Sequence, residues 1–120
     1  MLTRENRLTS SQRFSQAVRR GRRAGTRTLV VHLDVDADVA RPQVGLVVSK
    51  AVGPAVTRNL VKRRLRHLSR ERISSLPGSA VIVVRALPAA AGASYDDLGA
   101  DLDQALRRAL SRRAARSVTA

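Results

Sequence analysis

Between Arg58 and Arg72 the chain carries a stretch that few folds can accommodate, because seven of its fifteen residues are fixed cations and the rest leave one apolar side at helical spacing. At about 100° per residue, Arg58, Lys62, Arg66 and Arg70 succeed one another at i, i+4, with Asn59 and Arg63 beside them. Val61, Leu65 and Leu68 gather on the opposite side. Glu71 is the only acid, so the alternating charge pairs of an ordinary solvated helix are missing. The pattern predicts a helix that docks one face on a protein core and offers the other to a polyanion.

The whole chain repeats that bias. Lys+Arg 23 against Asp+Glu 9 gives a formal net charge of +14 on 120 residues, enough to attract RNA, DNA or anionic lipid before any specific contact forms. Lys50 and Lys62 are the only lysines. Arginine pairs with phosphate through a planar fork and stacks on exposed bases, which favours RNA. A membrane surface is disfavoured, since the basic helix has no Trp or Phe on its apolar side.

A chain of this length has room for one domain with a modest core. Phe14 and Tyr95 are the only aromatics, so that core is built from Val, Leu, Ile and Ala. The absence of cysteine removes disulfides, thiolate zinc sites and thiol nucleophiles. No apolar run approaches the ~20 residues of a membrane span, and MLTRENRLTSSQRF lacks the apolar stretch of a secretory signal. A soluble, cytoplasmic protein is expected.

Residues 1–8 read as a flexible basic arm. Thr9-Ser10-Ser11-Gln12 resembles a capping box with Thr9 as cap, opening a short helix with Phe14, Ala17 and Val18 on one side and Gly21 as its C-cap. Residues 19–25 form a second basic cluster in a loop. Alternation from Thr28 to Val35 predicts a half-buried strand, with Asp34, Asp36 and Asp38 read as a solvated hairpin. Residues 43–49 predict a strand buried on both faces. The basic helix ends near Ser74–Gly78, and the strand 80–85 is expected to lie beside 43–49. Ser94 caps a last helix with the stripe Tyr95, Leu98, Leu102, Ala105, Leu106 and Ala109, closed by Arg107, Arg108, Arg112 and Arg113. The predicted class is α+β: a single sheet of about four strands packed by an N-terminal helix, the central basic helix and a C-terminal helix. One domain spans 9–113, and 114–120 is expected to fray.

Protein-based catalysis has thin candidates. His32 and His67 lie far apart without ligand spacing nearby; His67 reads as a surface residue, and His32 as either a base-stacking group or a plain edge position. Asp96 and Asp97 suit a helix first turn, and Asp101 and Asp103 are spread around the helix rather than clustered for a metal. No protein-bound metal and no self-sufficient active site is expected.

The segment Val44-Gly45-Leu46-Val47-Val48-Ser49-Lys50, followed by Gly53-Pro54-Ala55-Val56 and Arg58-Asn59-Leu60-Val61-Lys62-Arg63, resembles the protein subunit of bacterial ribonuclease P. Asn6-Arg7-Leu8 with Phe14, the strand Val81–Arg85, and Tyr95 extend the resemblance over about residues 4 to 110. It implies a small α+β domain that assists a catalytic RNA in removing the 5′ leader of precursor tRNA, with hydrolytic magnesium held by RNA and substrate. It assigns Arg58, Asn59, Lys62, Arg63 and Arg66 to the RNA subunit. It places Phe14, Val18, Val30 and His32, with Lys50 nearby, at a cleft for the single-stranded leader. The implied partners are the catalytic RNA and precursor tRNA, with no obligate protein partner. Leu60 stands where the motif usually has Arg, with Arg64 close enough to reach part of the same surface, and Val18 stands where an aromatic is frequent. The alternative class is a structural RNA-binding protein such as a small ribosomal protein, which would lack a leader cleft at Phe14.

Overall fold

The computed structural model describes residues 4–119, with side chains described through Ser111. Four strands form one sheet: β1 (Arg22–Gly25), β2 (Leu29–Val35), β3 (Gln43–Val47) and β4 (Ala80–Ala86). Their order is β1-β2-β4-β3, antiparallel across the first three and parallel between β4 and β3. Three helices complete the molecule: α1 (Ser11–Arg20), α2 (Ala55–Arg72) and α3 (Tyr95–Thr119).

A parallel pair cannot be closed by a hairpin, so the chain leaves β3, runs through α2 and returns as β4. β4 thereby enters between β2 and β3. The segment 36–42, expected as a hairpin, instead crosses the end of the sheet, and Asp36 accepts from Arg13 Nε at 3.1 Å. β4 beside β3 is the pairing expected from the sequence.

Alternation along the strands sorts the core into two layers. Leu29, Val31, Leu33, Ile82, Val84 and Val44 face α2 and α3, where they meet Val61, Leu65, Leu68, Leu98, Leu102 and Ala105. Val81 and Val83 face the other way, under Ala17, with Leu8, Phe14, Val18 and Val47 packed around them. Strand β2 was expected to be half-buried, yet Val30 is 3 % and His32 4 % exposed. Neighbours on both edges and α1 above enclose it.

Three local expectations are corrected. The basic cluster 22–25 is a strand, since its backbone pairs with Val30–Leu33 and Ala24 turns into the core. Ser10, not Thr9, caps α1: its Oγ accepts from the Arg13 amide at 3.2 Å. Residues 1–3 of the expected arm lie outside the described residues, but Arg4–Leu8 lies along β3, where the Leu8 amide donates to the Val44 carbonyl at 3.0 Å. Gly21 ends α1 as expected but with an extended backbone; a Cβ there would stand 2.3 Å from the Ala17 carbonyl oxygen. Ser94 caps α3, accepting from the Asp97 amide at 3.0 Å. The α3 backbone continues past Ala114 to Thr119, and the side chains of Arg112 and Arg113 lie outside the described residues. No helix among the described residues is long and apolar enough to cross a membrane.

Candidate nucleic-acid interface

Burial of Val61, Leu65 and Leu68, each 2 % exposed or less, fixes the rotation of α2. The residues between them are turned outward. Asn59 and Arg63 are exposed, and Arg58, Lys62 and Arg66 are half-buried, with their stems against the protein. None of these four cations, nor Arg70, forms an ion pair among the described residues. Arg58 Nε is also shielded from water without an acceptor, which leaves a donor that an incoming oxygen would satisfy.

Two of the seven cations on this stretch serve the fold. Arg64 donates to the Ala93 carbonyl at 3.1 Å, holding α2 to the turn before α3. Arg72 donates to both carboxylate oxygens of Asp103 and to the Leu68 carbonyl, tying α2 to α3. That pairing holds the Asp103 carboxyl below the usual carboxylate range. Arg64 is therefore engaged elsewhere and is no substitute for the motif Arg replaced by Leu60, which is itself 37 % exposed.

A groove of about 420 Å³ opens beside α1, walled by Phe14 and Val18 and by Val47, Ser49, Arg85 and Leu87 of the sheet and its loops. Phe14 rests on Gly45, where a Cβ would come within 3.2 Å of its ring. The absence of that Cβ lets the ring lie low and keep one face toward the groove. Lys50 is exposed on the rim, between Ser49 and Ala51.

Val30 and His32 do not line this groove. Both are buried in the sheet beneath α1, and β2 is internal, so the edge reading of His32 fails as well. Neither ring nitrogen of His32 has a hydrogen-bond partner. Burial, and then the charges of Arg85 and Arg23, pull its pKa below the ordinary histidine value, so the ring is neutral near pH 7. Arg85, overlooked in the sequence, is the cation that reaches the groove. Its signal was there: it falls on the outward parity of an otherwise apolar strand.

The four acids of α3 have structural tasks. Asp101 accepts from Thr28 Oγ1, Asp103 from Arg72, and Asp96 and Asp97 sit in the first turn. No group of metal-ligating side chains occurs among the described residues.

Comparison with known proteins agrees over nearly the full length. The family model described as Ribonuclease P matches residues 2–110. A "Ribonuclease P protein component" from Nocardioides sp. is 61 % identical over 110 residues, covering 90 % of this chain and 94 % of the relative. One from Streptomyces griseus is 54 % identical over 118 residues, covering 92 % and 96 %. The solved structure of Staphylococcus aureus RNase P protein is 25 % identical with a TM-score of 0.78, covering 87 % of this chain and 94 % of that one. The RNase P protein from Thermotoga maritima, at 23 % identity and a TM-score of 0.74, covers 85 % and 96 % and shares the fold. By this match across sequence and fold, the chain belongs to the ribonuclease P protein component family.

Proposed function

We propose that the chain meets RNA on two surfaces: the outer face of α2 against the catalytic RNA, and the groove at Phe14 and Val18 against the 5′ leader of precursor tRNA. As a member of its family the chain is a subunit of an endoribonuclease that acts in tRNA 5′ processing and whose catalysis resides in RNA. The protein's work is then positional and electrostatic. Cations on α2 offset phosphate repulsion where RNA strands converge, and each phosphate neutralised releases condensed counterions. The groove supplies an aromatic face for one base, with Lys50 and Arg85 for the adjoining phosphates. Magnesium in this reading is held by RNA and substrate phosphates, and the holoenzyme works in the cytoplasm.

The observation that carries the reading is the outward face of α2, where cations stand without acid partners and Arg58 Nε lacks an acceptor. The test is the salt dependence of binding to the catalytic RNA. Alanine at Arg58, Lys62, Arg63 or Arg66 is expected to lower the log–log slope by about 0.7 to 0.9 for each phosphate left without its cation. Unchanged slopes in all four variants would remove α2 from the interface.

A further inference from the structure

Asn6, Arg7 and Leu8 belong to the sequence pattern of the family, yet neither surface above uses them. The fold holds them in place. Asn6 Nδ2 donates to the Pro42 carbonyl at 2.8 Å, Arg7 bridges Val44 in parallel, and Leu8 is pinned by its amide and packs beside Phe14. With its backbone fixed along β3, Arg7 keeps an exposed side chain. Lys62 and Arg66 stand across from it, one turn apart on α2. All three line one groove of about 370 Å³ with Leu8 and Leu46 as apolar wall and floor.

No acid lines this groove, and none of the three cations makes an ion pair among the described residues. Two segments more than fifty residues apart in the chain thus converge three like charges on one concavity. Their repulsion is not offset by any carboxylate of the groove, and an anion seated between them would reverse its sign. The apolar wall fits a ribose or a base face, and the cationic rim fits the phosphate beside it.

We propose that this groove is a further RNA site, taking one nucleotide of an unpaired RNA segment, with Arg7 as a phosphate ligand beside Lys62 and Arg66. The proposal rests on the reading of α2 as an RNA face and extends that face to the N-terminal segment. Phosphodiester chemistry is shared by the catalytic RNA and precursor tRNA, so the experiment separates the two.

Binding of the full chain is measured across a salt series, once to the catalytic RNA alone and once, in complex with it, to precursor tRNA. Arg7→Ala is expected to lower the slope by about 0.7 to 0.9, and Arg7→Lys to restore most of it. Because Arg7 and Arg66 share one phosphate, the double alanine variant should lose less affinity than the product of the single losses, by about twofold or more. Arg7→Ala with Arg63→Ala should multiply. A slope loss with the catalytic RNA alone places the nucleotide there, and one seen only with precursor tRNA places it in the substrate; either supports the site. An unchanged Arg7→Ala slope, while Arg63→Ala and Arg66→Ala shift theirs, overturns the proposal and leaves the α2 reading intact. A lower melting temperature with weaker binding that Arg7→Lys does not rescue also overturns it, making Arg7 a structural strut. Unchanged slopes in Arg63→Ala and Arg66→Ala as well would sink the α2 reading itself.

Discussion

On one face of the sheet, Leu29, Val31, Leu33, Ile82 and Val84 are covered by two long helices, and nearly every apolar side chain there is sealed. On the other face the ten-residue α1 covers a smaller cluster and leaves His32, Arg85 and an open groove around it. Both faces are cut from the same alternating strands, so the difference lies in how much helix covers each. The face under α2 and α3 supplies stability and, by fixing the rotation of α2, aims its cations outward. The face under α1 trades part of that burial for a surface that a flexible RNA strand can enter.

The largest expected effect tests the sealed side. Leu65 is 0 % exposed, and Leu65→Ala should cost about 2–5 kcal/mol of folding stability, read from denaturant midpoints. A loss under about 1 kcal/mol would mean that α2 is not held by this face.

Phe14→Ala tests the open side. Phe14 is half-buried, so its removal should cost less stability than the ~3–5 kcal/mol of a sealed Phe, while weakening binding of leader-bearing precursor tRNA by about 1–3 kcal/mol. Mature tRNA and the catalytic RNA should bind as before. An equal loss for all RNAs would turn Phe14 into a core residue and close the contrast between the faces.

The smallest effect concerns pH. With the folded pKa of His32 below its ordinary 6.5, stability is fully present above the unfolded pKa. As pH falls from there toward the lowered folded value, the unfolded chain takes up the proton first and stability declines. His32→Leu should flatten this part of the stability profile, followed by urea unfolding at several pH values. The same slope in both proteins would place the titrating group elsewhere.

Much of this was legible in the sequence because it is local. The basic periodicity of α2, the apolar runs of β3 and β4 and the Ser94 cap each declare themselves within a few residues. β1 does not: Arg22-Arg23-Ala24-Gly25 has no apolar alternation, and its strand geometry comes from pairing with β2. The docking of Arg4–Leu8 and the passage of β4 between β2 and β3 are equally non-local. At the RNA surfaces, residue type was visible but environment was not. Arg64 looked like its neighbours until Ala93 was placed beside it, and His32 looked available until α1 covered it.

The place of β4 has a consequence for the growing chain. Strands β2 and β3 are made first, yet they do not pair with each other, and each waits for the same later strand. Until Ala80–Ala86 leaves the ribosome, the N-terminal half has two raw strand edges and a basic helix without its core partner. Non-local strand pairing of this kind is slow and exposes unpaired edges. The central strand therefore acts as a keystone: translation that stops or slows before residue 80 yields an adhesive fragment, and the last step of assembly is the one that joins both halves at once.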